Sequence, residues 1–417
     1  MGSRTTPTAD RRTAVALFSR LRTPQGQADP FPLYEQLRSR GAVSPAPWGG
    51  HLVTGYDLCA AVLRDNGWLE PDKGWRARQG PRTRWSAPSS REISNTLPAL
   101  NPPEHTRVRR AAGSFDRGTI QELGRTVDGI VDGLLDSFSA RLREQGEADF
   151  AALVSERLPI ATVGNWLGLP AADWDRLRDL THEQVFTQEL LPSASQLTRS
   201  DVALAELRTY FLDLIRHRRT HLGEDPVSRW IRVWDALEPD RDQADEGVYF
   251  LALFVLLAAL ETTSTLLSTM VLFLTERPGR RDLLTGSPDL VPAFVEETLR
   301  YDPPTHVISR VAGTDRTVGG VEVRADEMVH LMVGAAHHDP ARYPDPGRFD
   351  LSRNFAQHLG FSGGIHYCLG APLARLEAQT LLRRLVTRLP RLTLVRRPPR
   401  APRVVFRRLL SLDVALA

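Results

Sequence analysis

The sequence predicts a mainly α protein with small β-sheets, folded as one domain over residues 1–417, and three observations carry that reading. Segments with apolar residues at i, i+3, i+4 spacing far outnumber strand-like pieces. The strand-like pieces are short and gather towards the two ends of the chain. The longest apolar run, residues 247–260, closes on Glu261 after about 14 residues. A membrane span needs roughly 20, so this run reads as a buried core helix.

The spacing predicts helices over 32–38, 56–64, 119–144, 153–167, 201–218, 247–275, 290–301 and 371–388, several with Asp, Ser or Pro near the start. Strands are predicted at 51–54, 307–311, 317–323 and 328–332, and a hairpin-like region at 404–415. Two stretches look irregular and exposed. Residues 68–101 are rich in Trp, Arg, Pro and Ser, and 183–200 mix Leu with Ser, Gln and Thr. Long loops in a compact domain are usually lids or binding loops. The first contains Trp68, Trp75 and Trp85 among arginines, yet no basic stripe continues beyond it, which argues against a nucleic-acid platform. Residues 1–25 are expected to be flexible, and the polar 1–13 lack the apolar core of a signal peptide.

Composition narrows the class. With 41% hydrophobic and 25% charged residues, the chain is an ordinary globular protein, not a collagen-like, disordered or disulfide-stapled one. Net charge is only +3, so a pI near 9.1 is a weak signal for acidic partners. Cys59 and Cys368 are the only cysteines, too few for a zinc site and consistent with a reducing, cytoplasmic setting.

Phe361-Ser362-Gly363-Gly364-Ile365-His366-Tyr367-Cys368-Leu369-Gly370 is the most informative segment. Glycines on both sides of Cys368 allow the backbone to approach something flat and close. A helix begins just beyond, with Pro372 in its first turn. A cysteine at a helix N-terminus faces unpaired N–H groups and the positive end of the dipole, which favours the thiolate. Cys368 taken alone reads as a buried structural residue; the whole run does not. In the central apolar helix, Glu261 and Thr262 are costly to bury unless paired or solvated. Glu297-Thr298-Leu299-Arg300 places an acid and a base on one helical face. The adjacent His337 and His338 stand too close in sequence to converge on a metal ion.

The Cys368 segment resembles the haem-binding loop of the bacterial cytochrome P450 monooxygenases, Phe-x-x-Gly-x-x-x-Cys-x-Gly, with Phe361, Gly364, Cys368 and Gly370 at its fixed positions. Ser362 departs from the Gly usual there, and Ala259 from the Gly usual in the central helix. The resemblance implies haem b lying between the long central helix and the Cys-loop helix, with the Cys368 thiolate as axial iron ligand. It makes Thr262 and Glu261 the acid–alcohol pair, one steadying oxygen and the other delivering protons. It turns Ala258 towards the haem pocket, and gives His105, Arg109, Arg310 and His366 to the two haem propionates, with His105 and Arg109 as paired cations. Glu297, Arg300 and Arg348 become a structural triad behind the Cys loop.

By that resemblance the protein is a soluble, monomeric, cytoplasmic enzyme that binds neither membrane nor nucleic acid. It uses O2 and two electrons from a ferredoxin and an NAD(P)H-dependent ferredoxin reductase to oxidise a small secondary-metabolite intermediate. The electron donor is expected to be a separate protein, since no reductase segment follows the last strand region. Arg107, Arg110, Arg353 and Arg375 are candidates for its docking face. A peroxide-driven peroxygenase and a non-catalytic haem-binding protein are the alternatives, and the Glu261–Thr262 pair favours oxygen activation over both.

Overall fold

The computed structural model describes residues 7–81, 83–113, 115–353 and 358–417. Its spine is the helix Arg241–Glu276, started by the Asp240 side chain, which accepts from the N–H groups of Asp242 and Gln243. The helix is apolar on nearly every side, which suits a core position rather than a surface one. Although it is long and apolar enough to cross a membrane, other helices of the same chain enclose it. Its first half, Ala244 to Leu260, packs with Arg157–Leu167, Ala194–Thr220 and Pro226–Leu237. Its second half, from Leu266 onward, packs with Arg117–Gln145, Val291–Tyr301 and Ala371–Arg388. Between the two cores lies the polar stretch Glu261-Thr262-Thr263-Ser264-Thr265.

A five-stranded sheet in the order Val43–Pro45, His51–Val53, Met328–Leu331, Ile308–Ala312, Trp68–Leu69 stands beside the helices. Only the His51–Val53 and Met328–Leu331 pair is parallel. Asp413–Leu416 lies between Glu147–Asp149 and Leu392–Leu394 in a smaller antiparallel sheet.

The structure departs from the sequence expectations in five places, the first being the single strand read at 317–323, which is a tight hairpin of Arg316–Val318 and Val321–Val323. Residues 7–25 are not a loose tail, because Pro7–Leu21 is a helix that buries Ala14, Leu17, Phe18 and Leu21; residues 1–6 lie outside the described part. The stretch 68–101 folds into Trp68–Leu69 and the short helices Lys73–Ala77 and Pro88–Ile93. Asp72 starts the first of these by accepting from the Trp75 N–H at 2.8 Å. Trp75 is buried with its ring N–H on the Asp326 carbonyl, so it is no nucleic-acid platform. In 183–200, the capping box of Ser193 and Gln196 moves the start of Ala194–Thr220 back from the expected residue 201. The hairpin expected at 404–415 is shifted and reduced to an antiparallel bridge between Arg400 and Leu409, a second between Thr305 and Phe406, and a strand only at Asp413–Leu416. The N–H groups of Val404, Val405 and Phe406 are taken at 2.9, 3.1 and 3.2 Å by the Glu189 carboxylate instead of a partner strand.

Buried charge holds the loop region to the helices. Glu297 and Arg300 form a bidentate pair of 2.7 and 2.8 Å with both side chains essentially inaccessible. Arg300 also donates to the His337 and Pro346 carbonyls at 3.0 and 2.9 Å, and to that of Arg348 at 3.2 Å. Arg348 therefore contributes its backbone to this cluster, while its exposed guanidinium lies near Asp350. The second guanidinium on Glu297 belongs to Arg353, 3.5 Å away and mostly covered, at 11% exposed against 69% for Arg348. The triad member is thus Arg353, and being covered also removes it from the docking candidates.

His337 and His338 are structural. The first accepts the Leu359 N–H at 2.7 Å; the second bonds the Tyr301 carbonyl and stacks on Phe31 at 3.9 Å. Among the described residues no group of His, Cys, Asp and Glu is arranged to hold a metal ion. Glu297→Ala leaves Arg300 buried without its anion and Arg353 without its partner, and urea denaturation is expected to show a loss of about 3–5 kcal/mol.

Candidate active site

The helix Ala371–Arg388 begins three residues after Cys368, and the backbone closes the loop by a Cys368 N–H bond to the Phe361 carbonyl at 3.0 Å. Arg375, in the second turn of that helix, binds Glu296 at 2.7 and 2.9 Å, and its guanidinium lies 4.5 Å over the Phe361 ring. His358 holds the same Glu296 from the other side at 3.0 Å. These contacts and burial by the loop set where the sulfur sits. Gly364 has φ +62, and a Cβ there would stand 2.5 Å from the Leu63 carbonyl oxygen. Gly364 therefore serves the turn and does not line the cavity. Gly370 does line it, with open space where a Cβ would project.

Cys368 opens onto a cavity of ≈450 Å³. Its opposite wall is the central helix, where Ala258 and Thr262 are accessible from the cavity while Leu257, Leu260 and Glu261 are buried. Phe254 lines the same wall one turn earlier, as its spacing from Ala258 suggested. The Thr262 hydroxyl donates to the Ala258 carbonyl at 2.7 Å, the four-back bond available to a helical threonine. The other cysteine, Cys59, is buried away from this cavity with its sulfur on the Val53 carbonyl at 3.4 Å.

Burial pushes the Cys368 thiol up from its ordinary range. The N–H groups of Gly370 and Ala371, with Arg109 and Arg375, pull in the opposite direction without prevailing. Helix position alone therefore does not secure the thiolate, contrary to the sequence expectation; it needs a further positive charge at the sulfur.

His105, Arg109, Arg310 and His366 meet along one edge of the cavity. The rings of His105 and His366 stand edge to face, 4.5 Å apart. Burial, reinforced by Arg109, lowers the His105 pKa, and burial with Arg310 lowers that of His366 to about 3. Both histidines are neutral donors at pH 7, so the expected pair of cations reduces to Arg109 and Arg310. Arg109 bonds the Tyr367 carbonyl at 3.1 Å, and Arg310 pairs with Glu70 at 2.5 Å. No sequence motif marks Glu70, whose own pKa burial raises to about 7. The Nε2 of His105 is buried without a partner.

Glu261 stands on the cavity wall, but its carboxylate turns away. It bonds His182 Nδ1 at 2.9 Å and Arg403 Nη1 at 2.6 Å. Burial alone would raise its pKa, yet these partners and Arg408 together bring it to about 2. As a free general acid it is therefore unsuited at neutral pH. His182 and Arg403 have no signal in the sequence, because helix end and C-terminal segment meet only in the fold. A second buried carboxyl on the cavity, Glu377, has an unpartnered Oε1 and a pKa raised by burial to about 7.

Residues 289–402 match the family model for cytochrome P450. The chain is 35% identical over 373 residues to cytochrome P450 monooxygenase PikC of Streptomyces venezuelae, covering 88% of this chain and 85% of that one. It is 34% identical to nocardicin C N-oxygenase of Nocardia uniformis subsp. tsuyamanensis, covering 90% and 92% of the two chains. The crystal structure of P450BioI in complex with an acyl carrier protein carrying hexadec-9Z-enoic acid superposes with a TM-score of 0.85 at 28% identity, over 94% of this chain and all of that one. The chain belongs to the cytochrome P450 family of oxidoreductases, which hold haem through a cysteine thiolate.

The residues present fit that group. A sulfur that lacks a positive charge, an orphaned His105 nitrogen and two arginines near an acid-binding edge match an iron and two propionates. Ser362 has φ +62 and a buried hydroxyl without a partner, so the Gly usual in the family would be less strained. Ser362→Gly is expected to raise the unfolding free energy by about 1–2 kcal/mol in urea. Because the folded pKa of Glu377 lies above its unfolded value, its share of stability is complete below pH 4.5 and lost as pH rises through about 7. The stability difference between wild type and Glu377→Gln, which isolates this share from the other titrating groups, is expected to shift by about 3 kcal/mol against the wild type between pH 4.5 and 8 in urea denaturation.

Proposed function

We propose that this cytochrome P450 is a soluble, cytoplasmic monooxygenase that oxidises a small secondary-metabolite intermediate, with Cys368 as the haem ligand. The observation that carries the reading is one cavity with Cys368 on one wall and Ala258 and Thr262 on the other. PikC, a monooxygenase by name, supports the reaction class, and nocardicin C N-oxygenase, named for a small-molecule substrate, supports the substrate class. Electrons come from a ferredoxin served by an NAD(P)H-dependent reductase. Of the arginines considered for docking that partner, Arg110 is exposed, Arg107 lies near Glu104 and Glu238, and Arg375 is engaged by Glu296.

When bound, the haem supplies an iron that activates dioxygen with two electrons. The chain's own residues prepare the place for this chemistry. Gly370 and Ala371 N–H groups and Arg109 stabilise the Cys368 sulfur as an anion once the metal charge offsets its burial. The apolar walls around Phe254, Leu257 and Val405 exclude water from the reacting face. Thr262 offers hydroxyl lone pairs to the cavity while its proton rests on the Ala258 carbonyl. Rotation of that hydroxyl would present a donor at the same spot.

Proton supply runs through Glu261, but as a relay and not as a resident acid. His182 Nδ1 touches Glu261, and His182 Nε2 faces Glu156 at 3.8 Å, whose carboxylate is partly accessible. A proton taken up at Glu156 can pass by way of His182 to Glu261, with Arg403 holding the carboxylate in place.

Turnover should require ferredoxin, reductase and NAD(P)H; turnover with peroxide and none with the electron-transfer proteins would overturn the assignment. Cys368→Ser is expected to abolish the thiolate-type absorption of the reduced CO complex. Glu261→Gln is expected to lower kcat by about 100-fold with that absorption unchanged. Thr262→Ala should retain electron uptake yet divert most of it to peroxide and water, measured as product formed per NAD(P)H.

A further inference from the structure

Most arginines of this protein face water or meet a carboxylate, but on one corner of the cavity wall Arg76 is buried and Arg84 half-buried with no ion pair to either among the described residues. Arg76 is 8% exposed, and among the described residues no acid forms an ion pair with it or with Arg84. Backbone and hydroxyl oxygens hold Arg76 in place, with Nε on the Pro71 carbonyl at 2.6 Å and Nη1 on the Ser90 carbonyl and hydroxyl at 2.5 and 3.1 Å. Arg84 donates Nη1 to the Glu189 backbone carbonyl. Both guanidinium groups lie over one indole, Trp85, at 5.2 and 4.0 Å from its centre. Trp75 meets Trp85 edge to face at 5.2 Å and keeps that indole in position.

The nearby acids are engaged elsewhere. Glu70 pairs with Arg310, Asp72 caps a helix and bonds Asn101, and Glu189 is spent on three backbone N–H groups. Burial and the neighbouring Arg76 hold the Arg84 pKa down to about 10, so both groups are still cations at pH 7. Two like charges in a partly desolvated wall are costly unless an anion joins them, and a guanidinium fork is shaped for a carboxylate.

We propose that Arg76 and Arg84, backed by Trp85, bind a carboxylate of the substrate and hold its apolar remainder against the Ala258–Thr262 wall. The substrate class is then an amphipathic carboxylic acid. This rests on the function proposed above, because it supposes that the cavity is the oxidation site. The arginines act as specificity-determining residues and take no part in bond breaking.

The holoenzyme is titrated with a panel of alkyl and aryl carboxylic acids, from dodecanoic to indole-3-acetic acid, each beside its primary amide. Binding is read by the shift of the ferric Soret band and independently by calorimetry. At least one acid is expected to bind about tenfold or more tightly than its amide. Arg84→Gln and the Arg76→Gln, Arg84→Gln double variant should reduce that ratio to near one, while Arg84→Lys keeps part of it. The wild-type comparison stands even where a variant fails to fold. The proposal is overturned when no acid exceeds its amide, or when the preference survives in the folded double variant. Loss of the thiolate-type CO band in wild-type protein would instead refute the haem assignment, and calorimetry would still decide the acid preference.

Discussion

Two consecutive acids on one helix, Glu296 and Glu297, hold the functional half of this molecule together. About 100° separates neighbouring side chains around a helix, so the pair points in two directions. Glu296 reaches Arg375 and His358, and thereby the Cys-loop helix and the strand of chain leading into it. Glu297 reaches Arg300 and Arg353, and through Arg300 the carbonyls of His337, Pro346 and Arg348. The Cys loop is thus fastened from both sides, by the fully buried Glu297–Arg300 pair and by the half-buried Glu296–Arg375 pair. A sulfur on a Gly-rich loop would otherwise have no reason to keep one position.

The opposite wall follows a different rule. The central helix buries apolar residues in two cores and places its polar residues where those cores part. Interrupting the apolar pattern there leaves Ala258 and Thr262 on the cavity and draws the Glu261 carboxylate to the far side, into His182 and Arg403. Charge is distributed unevenly as a result. The Glu261 side is neutralised by partners within the protein, whereas the Cys368 edge and the Arg76–Arg84 corner each carry positive groups, or unfilled donors, in excess of nearby acids. Such imbalance is expensive in a folded chain and cheap once a charged ligand enters.

Periodicity carried most of the architecture. The eight helices read from apolar spacing all exist, and the errors lie where local bonding outranks it. Ser193 and Gln196 form a capping pair within a stretch whose polar composition reads as irregular. The Val404–Phe406 segment has strand residues yet gives its N–H groups to Glu189, far away in sequence. Cys368, Thr262, His105 and Arg109 were legible because a motif ties each to a short spacing. Glu70, His182, Arg403 and Glu377 were not, since each is one ordinary polar residue whose partner is distant along the chain. Arg348 and Arg353 show the same limit: five positions apart, both basic, and distinguished only by which one the fold covers.

Residue order alone determined the helical class, the glycine-rich loop around Cys368 and the placing of Glu261 beside Thr262 in an apolar helix, because these depend on spacings of a few residues and on the backbone freedom of glycine. Tertiary structure decided protonation and pairing: that Cys368 is a thiol awaiting a positive charge, that His105 is neutral, that Glu261 is an anion, and that Arg76 and Arg84 form no ion pair with an acid among the described residues. Burial and Coulomb energies depend on which side chains meet within a few ångströms, and segments hundreds of residues apart settle that only once they are folded together.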